Sequence, residues 1–301
     1  MITYSLFSRF QGSLFGNLIG ETLINRERSQ FWWRIMSKKV MIKLIEKGEI
    51  MSEDWVVISP EKPSLSSGEL ILGILPLSLL FYDTPYQFQQ QLNPLINLWD
   101  IPSETVKEIV FFNDLLGKIL NEKLAKNTPV NLLEITDKVP LSWESSLQKI
   151  QEFLDKGTPL TEVNRYFRQQ TSPEKTVIPL SLYCFNRTPN NFRLSVLQAV
   201  QTGCLLISTL TGTLSGAYNS VLGIPVPWRL AQQIDPDPPL SYQQIFTLWE
   251  RWAGVDKVAQ GETIGDKTAV SSPGVMQQRP PLMLISQKEY LQPTPIEGEN
   301  D

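Results

Sequence analysis

Three glycines spaced four residues apart, Gly12, Gly16 and Gly20, lie within an apolar stretch that runs from Leu6 to Ile24. In a helix, residues four apart stack above one another, so this spacing strips one face of side chains and lets a second backbone come close. Each glycine inside a helix costs roughly 1 kcal/mol relative to alanine. Three on one face therefore imply a packing or site-related gain that offsets the loss. The segment predicts a first helix over 6–24 and, with it, a fold organised around a tight helix crossing.

The remaining pattern is also helical. Ser29 to Ile50 predicts a second amphipathic helix with Phe31, Trp32, Ile35, Met36, Val40, Met41 and Leu44 turned inward. Ser52 to Gly68 mixes the short run Trp55 to Ile58 with Pro60, Pro63 and several serines, and predicts a loop lying on the core. Leu70 to Leu80 resumes as a buried helix. From Thr84 to Gly157, Pro85, Pro94, Pro102, Pro129 and Pro140 each mark a helix start, and Ser103-Glu104-Thr105-Val106 reads as one such start with an acid in its first turn. Val177 to Tyr218 predicts two apolar helices joined by a loop over Asn186 to Asn191. Few runs alternate with a period of two, and no repeat of fixed period is present. The expectation is an all-α fold, one globular domain over 1–255, followed by a polar tail over 256–301 with the composition of a disordered segment.

With 42% hydrophobic residues in 301, the chain is able to bury a large core. Its net charge of −4 is scattered along the sequence, which argues against a nucleic-acid partner. Leu70 to Tyr82 is too short to cross a membrane, and Cys204 to Gly223 is studded with Ser, Thr, Asn and Gly, so no span is expected. Met1 to Phe10 lacks the pattern of an export signal, and a cytoplasmic setting is expected. Cys184 and Cys204 stand in apolar stretches and read as reduced core residues.

The chain contains no histidine. Ser-His-Asp and Cys-His hydrolysis and His-containing zinc sites are thereby excluded, and the 2 cysteines are too few for an all-Cys zinc site. Any chemistry falls to carboxylates, hydroxyls, lysine or tyrosine.

Three stretches, in order, resemble the ADP-ribosylglycohydrolase family. RFQGSLFGNLIGETL is similar to its opening Gly-spaced helix, which ends in Gly-Asp where this chain has Gly20-Glu21. VIPLSLYCFNRTPNNFRLSVLQAVQTG resembles the helix, loop and helix that lead to the family's second metal motif. LTGTLSGAYNSVLGIPVPW, Leu210 to Trp228, resembles the stretch that follows that motif. The resemblance implies a helical fold that holds two divalent cations, usually magnesium, between an Asp-Asp-Thr cluster and an Asp-x-Asp-Thr cluster, and that cleaves a glycosidic bond at the ribose of ADP-ribose without histidine.

The ligands such a site needs are missing. Where the first cluster is expected, the chain reads Ser66-Ser67-Gly68-Glu69; where the second is expected, Gly203 is followed by Cys204-Leu205-Leu206-Ile207-Ser208-Thr209. No Asp or Glu occurs between Glu174 and Asp235. Dehydrating magnesium requires anionic or strongly polar oxygens, so no metal ligand is assigned and no cofactor is expected. By resemblance the pocket positions are Gly20, Glu21, Ser66, Ser67, Gly68, Glu69, Gly203, Cys204, Ser208 and Thr209, with Glu69 and Glu21 the only catalytic candidates; Glu21 otherwise reads as a capping or surface carboxylate. Two functions follow as expectations: a catalytically degenerate member acting by binding a protein partner or a nucleotide-like ligand, or an active hydrolase of ADP-ribosyl bonds with a rearranged metal site. An apolar-filled cleft with an exposed apolar patch elsewhere would favour the first, and converging carboxylates the second.

Overall fold

The Gly-spaced segment forms the first helix, α1, Leu6–Ile24, over its full expected length. Its N-terminus is closed by Ser5, whose hydroxyl accepts from the Ser8 N–H at 3.2 Å. The partner of its bare face is α12, Leu205–Asn219. The two run antiparallel: Gly12 lies opposite Gly216, Gly16 opposite Gly212 and Gly20 opposite Ser208. A Cβ added to Gly16 would sit 2.7 Å from the Gly212 carbonyl carbon, so the backbones themselves touch.

The computed structural model describes residues 4–25, 31–59, 66–121, 141–170, 172–233 and 241–253, with the short segments 267–268 and 285–286. The chain divides into two compact units, Met1–Leu248 and Trp249–Asp301. The fold is all-α, with fourteen α-helices among the described residues. After α1 come α2 Trp32–Lys47, α3 Ser52–Ile58, α4 Ser67–Gly73, α5 Leu75–Leu80, α6 Pro85–Trp99 and α7 Ser103–Leu120. Then follow α8 Leu141–Asp155, α9 Leu160–Gln170, α10 Pro173–Arg187, α11 Phe192–Gln201, α12, α13 Val226–Gln233 and α14 Tyr242–Trp252. The α1–α12 pair is the centre of the first unit: α10 and α11 pack along α12, α2 lies on α4 and α5, and α7 bridges α4 and α12. Buried Arg9 of α1 donates from Nη1 to the carbonyls of Ile119 at 2.8 Å and Leu120 at 3.3 Å, and so caps the end of α7.

Several expectations are corrected. On α2 the core face holds Trp33, Met36, Val40, Met41 and Leu44, whereas Ile35 is 41% exposed and Phe31 and Trp32 are half-buried. Trp33 is three residues from Met36 and seven from Val40, on the same face, while Ile35 lies one residue off that stripe. Part of the expected loop over 52–68 is helix α3, begun by Glu53 and Asp54 in its first turn, with the Asp54 carboxylate accepting from the Met51 N–H at 3.1 Å. The expected single helix over 70–80 is two, because Pro76 has no N–H to continue the ladder and the chain breaks at Ile74. Pro94 stands inside α6 rather than at a start. Three helices, not two, occupy 177–218: Gly203, at φ +71°, ends α11 and redirects the chain into α12.

Cys184 is fully buried, and burial pushes its thiol pKa up to about 12; Cys204 is half-buried, and both are free. Pro129 and Pro140 lie outside the described residues, as does the expected tail over 256–301 apart from two strands of the second unit. These are β1, Lys267–Thr268, and β2, Ile285–Ser286, paired antiparallel. No helix among the described residues is long and apolar enough to cross a membrane.

Candidate functional site

The crossing of α1 and α12 decides what the site can contain. It brings the end of α1 against the start of α12: a Cβ on Gly20 would lie 2.7 Å from the Ser208 carbonyl carbon and 2.8 Å from the Thr209 Cα. The first turn of α4 meets the same region, with Gly68 facing the Cδ1 atoms of Leu206 and Leu210, at 3.6 and 3.7 Å from an added Cβ, and Val177 Cγ1 of α10 at 3.2 Å. The three segments named by the sequence therefore converge, and an apolar cluster lies between α4 and α12.

The side chains of Ser66, Glu69, Ser208 and Thr209 at this junction are already engaged. Ser66 and Glu69 form a capping box: the Glu69 carboxylate accepts from the Ser66 N–H at 2.9 Å, and the Ser66 hydroxyl accepts from the Glu69 N–H at 3.4 Å. Ser208 donates its hydroxyl to the Gly20 carbonyl, and Thr209 donates to the Leu205 carbonyl at 2.8 Å. Gly203 is exposed and Cys204 sits at the N-cap position of α12 without a side-chain cap bond. The residues present do not fit a pair of divalent cations, since 203–209 supplies no carboxylate and Glu69 serves its own helix end. Among the described residues, no three of His, Cys, Asp and Glu gather where they could hold a metal ion.

Glu21 departs from its expected surface or capping role. It is only 2% exposed and is paired with Arg34 of α2 at 3.5 Å. Burial raises its carboxyl pKa above the usual range, and the Arg34 charge opposes that shift. The cause of burial is positional: Glu21 stands seven residues after Leu14 and three after Leu18, on the face of α1 that borders Trp33 and Arg34 of α2. A small cavity opens beside it, floored by Leu14, Leu18 and Leu72 and edged by Asn17, Trp33 and Arg34.

One carboxylate was missed from sequence. Glu108 of α7 is 7% exposed and lies beside Ser67. Burial raises its pKa; hydrogen bonding from Ser67 and Trp143 and the charge of Lys175 counter this, while Glu104 adds to it. The signal was available in the spacing, because Glu108 stands four residues before Phe112 and seven before Leu115 on the buried face of α7. Arg34 was missed as well. It belongs to no motif and acquires its role only when α2 packs beside the end of α1.

Glu69 and Glu21 are thus not brought together as one catalytic pair: the first closes α4 and the second pairs with α2. Compared with known proteins, the chain matches no family model, and no curated protein matches it.

Proposed function

We propose that this chain is a catalytically degenerate ADP-ribosylglycohydrolase-like protein that acts by binding a protein partner or a nucleotide-like ligand. The observation that carries this reading is the packing of Leu206, Leu210 and Val177 on Gly68, where the resemblance requires acidic metal ligands. Hydrolysis by a two-cation site needs carboxylates from both clusters, and one of the two supplies none. The commitment of the Ser208 and Thr209 hydroxyls to backbone carbonyls supports the same conclusion. Binding to a protein is favoured by apolar residues left in solvent along one stretch: Leu222 at 65%, Val226 at 53% and Leu230 at 50% exposed, each four residues from the next. The two free cysteines support a reducing, cytoplasmic setting, and the charge of −4 supports a partner other than nucleic acid.

A second reading is favoured by Glu108. Together with Glu69 it places two carboxylates from separate helices near Ser67, so a hydrolase with a relocated site is the competing proposal. Calorimetric titration with magnesium or manganese, then with ADP-ribose, beside an assay on an ADP-ribosylated protein, separates the two. The degenerate reading expects no metal heat and no turnover. Metal-dependent turnover abolished by Glu108→Gln or Glu69→Ala would replace it with the hydrolase.

A further inference from the structure

Helix α13, Val226–Gln233, reverses the usual order of a surface helix. Val226 and Leu230, four residues apart and so on one face, are exposed, while Trp228 and Arg229 are half-buried. Trp228 fastens the helix to the start of α11: its ring meets that of Phe192 edge-on, with centroids 6.2 Å apart. Leu222, in the 3-10 turn over 221–223 just ahead of α13, and Leu194, two residues past Phe192, are exposed as well. A surface helix ordinarily turns such residues to the core. One that shows them to solvent presents a face for another molecule to cover.

Charge indicates which molecule. Between Glu174 and Asp235 the chain carries Lys175, Arg187, Arg193 and Arg229 and no carboxylate, although its net charge is −4. The charged residues of α11, α12 and α13 are Arg193 and Arg229 alone. Arg193 is exposed, and each of the two directly follows one of the rings that join α11 to α13. The next carboxylate, Asp235, lies beyond α13 and outside the described residues. A second copy pairing through this same face would set the two arginines against their own equivalents, a juxtaposition of like charges that disfavours it. Anionic lipid is recognised by clusters of about four to eight Lys and Arg, more than these elements hold. A helix with aliphatic residues on one face and carboxylates beside them meets both the apolar and the charged groups. We infer that α13 and the start of α11 dock an acidic amphipathic helix of a partner protein, its apolar face on Leu222, Val226 and Leu230 and its carboxylates toward Arg193 and Arg229. This rests on the reading of the chain as a binding protein and gives that reading its partner chemistry.

The test uses a displayed library of random peptides of about 16 residues, enough for four helical turns. It is selected on the full chain and counter-selected on the Leu222→Ser/Val226→Ser/Leu230→Ser variant. Enriched peptides are expected to combine aliphatic residues three or four apart with an excess of Asp and Glu. They should bind the triple variant about tenfold or more weakly and weaken as salt rises. Should the triple variant not fold, Arg193→Glu, a change at an exposed position, decides: the acidic peptides should lose affinity for it. Enrichment of neutral or basic peptides, affinity unchanged in the variants, or no enrichment overturns the inference. So does self-association in ultracentrifugation, or binding to phosphatidylserine vesicles, that the triple variant abolishes, since either gives the face to another occupant. Metal-dependent turnover of an ADP-ribosylated protein sinks the degenerate reading instead; a failed selection without turnover sinks the docking inference alone.

Discussion

Single residues here are governed by burial more than by motif. Glu21 is the clearest case, since its carboxyl is harder to ionise in the fold than in the unfolded chain. The folded state then holds the Glu21 proton to higher pH, so this group's contribution is fully present below the ordinary carboxylate range and is lost as pH rises through its raised value. Glu21→Gln mimics the protonated form. The difference in melting temperature between Glu21→Gln and the native chain should move in the variant's favour from about pH 4 to about pH 7, and a difference flat in pH would refute the assignment. Glu108→Gln carries the same sign, its pKa being raised mainly by burial too. Ser66 acts differently, through geometry. Removing its hydroxyl in Ser66→Ala breaks the capping box and should lower stability by about 1 kcal/mol, read from urea unfolding. The neighbourhood of Gly20, Gly68 and Ser208 was legible, since Gly20 packs on Ser208 and Gly68 on Leu206 and Leu210 of the same helix. The roles were not: Glu21 pairs with a residue 13 positions away on another helix, and no local pattern encodes that.

At the scale of elements, the longer helices were readable, while the short α3 and the helix interruptions were not. The bounds of α1 coincide with the apolar glycine segment because nothing competes with a 3.6-residue period there. The breaks at Ile74 and Gly203 escaped because each turns on a single residue, the missing N–H of Pro76 in one case and the positive φ of Gly203 in the other. The two glycine faces were also each visible alone, while their mutual register became visible only in three dimensions. That register makes a sharp prediction. Gly16→Ala places a methyl against backbone, which cannot swing aside as a side chain does, and should cost about 3 kcal/mol or more, at the top of the usual range for overpacking. Gly203→Ala meets no atom within 4 Å but forces an L-residue to φ +71°, so it should cost only about 1–2 kcal/mol. Chemical denaturation of both variants checks the ranking; a reversed order would mean that α1 and α12 are not in backbone contact.

For the whole molecule, linkage gives a test that needs no substrate. A resident metal site stabilises the fold by about 2.7 kcal/mol when the metal stands at a hundred times its dissociation constant. Because the α4–α12 junction is apolar, millimolar magnesium should leave the melting temperature unchanged beyond the drift caused by an equal ionic strength of a monovalent salt. The pairing of α1 with α12 also bears on how the chain is made. The Ser208 hydroxyl bonds to Gly20 across 188 positions of sequence, so the first helix emerges long before the surface it fits. At translation rates of 5–20 residues per second, that interval is on the order of 10–40 s. Throughout it, the bare glycine face has no native neighbour. Vectorial synthesis therefore delays closure of this core until the chain has grown past Asn219, and it makes α1 a natural target for whatever shields apolar segments on the ribosome.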